Sequence, residues 1–175
     1  MPKSAIYAAL AALVALLPAA GTLTAGSAAA QVADSPNYAS DRMAIENTLQ
    51  DYVRGLDGAD MDAYLATLTD DAKFLSKEGN YFGKQAIADY VRPVFESRKR
   101  QGEDGSGTVS GTHHIVTNQA LQFIDPDNAV MRSYWMFATA RKGGGLELSL
   151  MGSSEDYLIR QGDKWLIRER RVETL

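Results

Sequence analysis

Four long stretches of β-type sequence, crowded into the C-terminal part of the chain, constrain this fold more than any other feature. They run over about 112–124, 129–141, 146–160 and 164–173, separated by Asp125-Pro126-Asp127-Asn128, Gly143-Gly144-Gly145 and Gln161-Gly162-Asp163. Each connection is short enough for an antiparallel hairpin, so the four runs predict a meander. Strands of ten or more residues exceed the usual five or six, and a sheet built from them must twist and coil strongly.

The sequence before residue 102 has a different period. Ile45, Leu49, Tyr52, Val53 and Leu56 repeat at the spacing of one helix face, with Ser40 or Asp41 as candidate cap and Gly58 as the stop. Met61, Tyr64, Leu65 and Leu68 predict a second, short helix capped by Asp60 and ending before Asp70-Asp71. A third begins after Gly83 and carries Ile87, Val91, Val94 and Phe95 on one face, with Pro93 expected to kink or shorten it. Residues 72–82 leave room for one or two short strands, and 102–111 form a Gly/Ser-rich break. Helices first and long antiparallel strands afterwards is an α+β layout, with the helices packed on one face of the sheet. A strongly coiled sheet closed on one side by helices makes a cone, and a cone lined by apolar side chains is a natural small-molecule pocket.

The N-terminal 30 residues predict an export signal rather than part of the fold. Lys3 precedes an uncharged apolar stretch from Ala5 to Leu17, followed by Pro18, small residues and Ala28-Ala29-Ala30 as a cleavage site. That stretch is shorter than the roughly 20 apolar residues of a membrane span, so no stable anchor is expected. The expected product is a periplasmic or secreted domain cleaved near Ala30. Residues 31–40 are then a flexible lead-in and 41–175 a single domain. The absence of cysteine rules out disulfides and thiolate metal sites. The formal net charge of −4, with no basic block, argues against nucleic acid as a partner. Arg98-Lys99-Arg100 beside Glu103-Asp104 is expected to be a solvated helix end.

Two features break the pattern. Asp57 falls four residues after Val53, on the apolar face of the first helix. A carboxylate there either bonds backbone at the helix end or needs a donor in a pocket, because an unpaired buried charge is costly. His113-His114, the only histidines, open the first long strand and must point to opposite faces. At most one can look into the cone, so a metal site built on the pair is not expected. A carboxylate bonded to one imidazole nitrogen would fix the tautomer and leave the other nitrogen as a general base. Tyr52 could border the same cavity and donate its phenol. Arg168, Arg170 and Arg171 in the last strand require that one or two of them face inward.

The segments AIENTLQDYVRGLDGADMDAYLATLTDDAKF, GKQAIADYV, HHIVTN, RSYWMF and GSSEDYLIRQGDKWLIRERRV, in that order over about 41–173, resemble the SnoaL-like group of the nuclear transport factor two-like superfamily. The resemblance implies a cone-shaped α+β barrel, with a curved antiparallel sheet packed on three N-terminal helices and commonly a homodimer through the sheet. It also points to bile-acid and scytalone dehydratases and hexachlorocyclohexane dehydrochlorinase as chemical analogues. They abstract a proton with a His supported by an Asp. By that likeness Asp57 and His114 form the dyad, while Tyr52 and Arg170 bind the developing negative charge, with Arg171 as the register alternative. Tyr134 and Trp135 are candidates for substrate contact, Tyr134 being the only polar group in RSYWMFATA able to stand in for a second acid or base. The expectation is therefore a cofactor-independent lyase or isomerase acting on a small, mainly apolar molecule. The alternative is a noncatalytic ligand-binding or protein-interaction domain, since one fold hosts many functions.

Overall fold

The computed structural model describes residues 37–103, 112–140 and 145–175. The expected export signal, most of the lead-in, most of the Gly/Ser-rich break and Gly143-Gly144 lie outside the described residues. Elements follow in the order α1 (Tyr38–Asp57), α2 (Met61–Ala66), β1 (Leu68–Ser76), β2 (Gly79–Phe82), α3 (Lys84–Glu103), β3 (Thr112–Asp125), β4 (Asn128–Ala140), β5 (Leu146–Gln161) and β6 (Lys164–Thr174). The four long strands and their order match the expectation from sequence within a residue or two. Among the described residues no helix is long and apolar enough to cross a membrane.

The helical segments differ from expectation in three places, each for a physical reason. First, α1 starts at Tyr38, and neither Ser40 nor Asp41 caps it. Asp41 is buried, accepting a 2.6 Å bond from Arg160 and a 3.3 Å bond from the Trp165 indole N–H, so it ties the first turn of α1 to the β5–β6 hairpin. Second, α2 ends at Ala66 rather than near Asp70, because Leu68 already belongs to β1, whose first residues are buried alongside β6. Its cap is as expected, the Asp60 carboxylate accepting from the Ala63 N–H at 3.0 Å. Third, α3 runs for 20 residues with Pro93 inside it. Pro93 is exposed while Ile87, Val91 and Phe95 are buried. Anchoring on the core side holds the helix through the missing hydrogen bond, which falls on the wet side.

The sheet is six-stranded, in the order β2-β1-β6-β5-β4-β3. All pairs are antiparallel except β1 with β6, so the β3–β6 meander is extended by a short hairpin that joins it in parallel. It is strongly curved and open, not a closed barrel. Its inner face is divided lengthwise. At one end Met131, Leu158, Trp165, Ile167 and Leu68 pack on Ile45, Leu49, Tyr64, Ile87 and Phe95, and each such side chain contributes about 1.5–3 kcal/mol by leaving water. At the other end the helices stand off and the inner face is hollow.

Two bulges decide what faces that hollow. In β3 the register shifts between Thr117 and Ala120 at Asn118, whose φ of 53° is left-handed. His114 and Val116 therefore face inward before the bulge and Leu121 and Phe123 after it. In β6 the shift opposite Tyr157 and Leu158 leaves Arg168 unpaired and exposed, so that Ile167 and Arg170, three apart, both face in.

The Asp41 pair also gives the fold a pH signature. Its hydrogen bonds from Arg160, and from Trp165 against the opposing effect of burial, hold the carboxyl below its ordinary value. A carboxyl depressed in the folded state contributes stability that is complete above the unfolded value and lost as pH falls through the folded one. The unfolding free-energy gap between wild type and Asp41→Asn should thus shrink over the acidic window that opens at about pH 4, the ordinary carboxylate value. A gap that stays constant in urea titrations across that window would contradict the assignment.

Candidate active site

The hollow end holds a cavity of about 360 Å³. Tyr52, Val53 and Leu56 enter from α1, Val91, Val94 and Arg98 from α3, and Phe74 from β1; the sheet adds His114, Val116, Trp135, Phe137, Arg170 and Val172. The walls are mainly aromatic and aliphatic; apart from Glu78, Tyr90 and Thr174, the polar groups are gathered into two clusters.

The first cluster is centred on Asp57. Its Oδ1 lies 2.6 Å from His114 Nδ1, and its Oδ2 accepts the His114 backbone N–H at 2.9 Å. Arg98 donates through one terminal nitrogen to Oδ1 at 3.1 Å and to the Leu56 carbonyl at 2.8 Å. Burial alone would push the Asp57 carboxyl up, but the ring and backbone bonds from His114 and the bond from Arg98 outweigh it and hold the group below its ordinary value. An ionised Asp57 accepts, so His114 Nδ1 carries the hydrogen and Nε2 is the nitrogen left to act as a base. The His114 side chain is 12% exposed and packs against Phe137, with ring centroids 4.2 Å apart. His113 is 66% exposed, its Nδ1 being 3.8 Å from Asp57 Oδ2.

The second cluster is centred on Arg170, which the β6 bulge turns inward. Arg171 is exposed and bonded to Glu169. Asp156 and Arg170 are cross-strand partners, and Arg170 donates to the fully buried Asp156 carboxylate at 2.6 Å. The guanidinium also sits 4.5 Å from the centre of the Tyr52 ring. Burial works against the charge on Arg170, but Asp156 and the nearby tyrosine oxygens hold the guanidinium protonated. Burial likewise pushes the Asp156 carboxyl up, against the pull of Arg170. The Tyr52 and Tyr64 hydroxyls are 3.1 Å apart, both buried, and burial raises both phenols, keeping them protonated. Two protons serve one bond, so one phenol retains a hydrogen to donate.

His114, Tyr52, Arg170 and Trp135 thus line one cavity, with Asp57 bonded to His114 behind its wall. Tyr134 does not join them. Adjacent strand residues alternate, and Tyr134 lies 49% exposed in a groove on the outer face with Arg132, Glu155 and Arg171, while Trp135 points in. Close packing of Trp135 depends on Gly152, where an added Cβ would lie 2.5 Å from the indole. Arg98 was expected in solvent and is instead buried against Asp57. The signal was present, since 98 follows Val91, Val94 and Phe95 at helical spacing. Tyr64 was legible only as a core residue. Among the described residues no group of three or more His, Cys, Asp or Glu is placed to hold a metal ion.

A curved sheet wrapped over three helices, with an apolar cavity at its open end, defines the nuclear transport factor two-like class of fold. The chain belongs to the SnoaL-like domain family, whose model matches residues 37–171. Solved structures agree on the fold. A nuclear transport factor two-like protein with a cystatin-like fold from Novosphingobium aromaticivorans is 16% identical, covering 89% of this chain and 92% of its own, with a TM-score of 0.66. Hexachlorocyclohexane dehydrochlorinase LinA-type3 from Novosphingobium barchaimii is 18% identical over 79% of this chain and 88% of its own, with a TM-score of 0.62. A scytalone dehydratase candidate from Novosphingobium aromaticivorans is also 18% identical, over 78% and 85%, with a TM-score of 0.60. None of the curated proteins matches the chain in sequence.

Proposed function

We propose that the protein is a cofactor-independent lyase or isomerase in which His114, held by Asp57, removes a proton from carbon beside an activating group of a small, mainly apolar substrate. The observation that carries this is the 2.6 Å contact between Asp57 and His114 Nδ1 at the wall of an apolar cavity. The proton passes to Nε2, and the electron pair left on carbon either forms a double bond as a leaving group departs from the neighbouring carbon, or is reprotonated elsewhere. Asp57 stays ionised, favouring an imidazolium at His114 in the transition state. Tyr52 and Arg170 are suited to meet the oxygen on which negative charge develops. Because Asp156 already neutralises Arg170, the guanidinium would act there as a fixed donor rather than as a bare cation.

Native mass spectrometry against a panel of apolar ketones, β-hydroxy carbonyl compounds and chlorinated hydrocarbons, followed by turnover assays on retained compounds, tests this reading. Elimination or isomerisation of a retained compound supports it. Retention of compounds with no turnover of any would favour a binding domain instead.

The outer face of the sheet supports a homodimer as part of the same proposal. Its lower half is an ionic ladder in which Arg132 bonds Glu155 at 2.6 Å and Lys73 and Arg171 both meet Glu169. Its upper half exposes Ile115, Tyr134, Leu148 and Met151, an apolar surface that a solvated sheet face does not ordinarily carry. Sedimentation at tens of micromolar should give a dimer that Tyr134→Asp or Met151→Asp weakens; a wild-type monomer under those conditions would reject this arrangement.

A further inference from the structure

We propose that Arg98 is a positioning residue for the His114 base, acting through Asp57 without needing to touch the reacting atoms. This rests on the reading of Asp57 and His114 as a catalytic dyad. Arg98 reaches from the last part of α3 to the end of α1, where one of its nitrogens bridges the Leu56 carbonyl and Asp57 Oδ1 at 2.8 and 3.1 Å. Those acceptors sit on consecutive residues, immediately before Gly58 and the left-handed Ala59 at φ 52°. The bridge therefore fixes the turn that carries the carboxylate as well as the carboxylate itself.

Among the described residues the other groups that meet Asp57 come from β3. His114 supplies its ring to Oδ1 and its backbone N–H to Oδ2, and the exposed His113 ring stands 3.8 Å from Oδ2. Arg98 alone fastens the group from the helical side among the described residues. It is also buried, with 8% of its side chain exposed, so its charge meets the carboxylate in a partly dry environment where such bonds are strong. Without it Oδ1 would keep, among the described residues, the imidazole as its partner, the Leu56 carbonyl would lose its side-chain donor, and the carboxyl would lose one of the bonds that hold it below its ordinary value, leaving His114 alone to set its orientation. Lysine can supply the charge at this position, but as a point donor it cannot reproduce the fixed geometry of the guanidinium.

The test uses isotopically labelled full-length chain and two signals that need no substrate: the low-field resonance of the His114 Nδ1 proton and the acid titration of the Asp57 carboxyl carbon. In Arg98→Met the proton resonance should be lost to exchange and the Asp57 titration should move upward; Arg98→Lys should bring the titration back toward wild type. Arg98→Gln, which retains polarity and much of the volume, repeats the comparison if the Met variant does not fold. On any substrate turned over, kcat should fall about tenfold or more with KM little changed. Loss of the resonance in Asp57→Asn, together with wild-type signals in both neutral Arg98 variants, overturns the Arg98 role alone. A resonance that survives Asp57→Asn overturns the dyad, and the role of Arg98 with it.

Discussion

Asp156→Ala should destabilise the protein by about 3–5 kcal/mol, because it leaves the Arg170 guanidinium charged, buried and without its carboxylate. Asp156 is fully buried, its 2.6 Å bond to Arg170 spans neighbouring strands, and among the described residues its second oxygen meets the Ser154 hydroxyl at 3.5 Å. Removing both members by Asp156→Leu with Arg170→Met should restore most of the loss, since desolvating the pair offsets much of its attraction. Urea unfolding at pH 7 measures both. A single-variant loss below about 1 kcal/mol would mean that Arg170 finds another partner or reaches water. The double variant, though stable, would lack the donor proposed to face the substrate oxygen, separating the structural role of the pair from the chemical one.

The second large effect is on turnover. His114→Ala and Asp57→Asn should each lower kcat on a true substrate by about 10²-fold or more. The two act by different routes: alanine removes the base, whereas asparagine keeps the shape and takes away the charge that fixes the tautomer. Their combination should cost little more than either alone, because groups that act as a unit are not additive. Wild-type turnover in both single variants would make the pair structural.

Most of the architecture could be read from local pattern. The long strands announce themselves because their hairpin turns carry strong signals in Asp125-Pro126-Asp127-Asn128 and Gly162, and α1 because Ile45, Leu49 and Tyr52 hold a strict helical spacing. What escaped depends on chain segments far apart. Leu68 fits the apolar face of α2 equally well as it fits a strand, and only pairing with β6 decides for the strand. Asp41 carries a cap's chemistry but is claimed by Arg160 and Trp165, more than a hundred residues away. The choice between Arg170 and Arg171 turned on a bulge at Arg168 that strict alternation conceals. The candidate site shows the same division. Asp57 stood out as a carboxylate on an apolar stripe and His114 as one of two histidines, while Arg98 was discounted because its basic neighbours Lys99 and Arg100 gave the segment the look of a wet helix end. Lys99 and Arg100 are indeed exposed; Arg98, one residue earlier, is turned inward by helical geometry.

The most direct test of His114 as a base is solvent deuterium exchange into a ketone retained by the cavity, followed by mass spectrometry or NMR in D₂O. Proton abstraction by His114 requires deuterium to appear at the carbon next to the carbonyl in wild type, and to fall to the uncatalysed rate in His114→Ala with the ketone still bound. Equal incorporation in the two proteins would contradict the account.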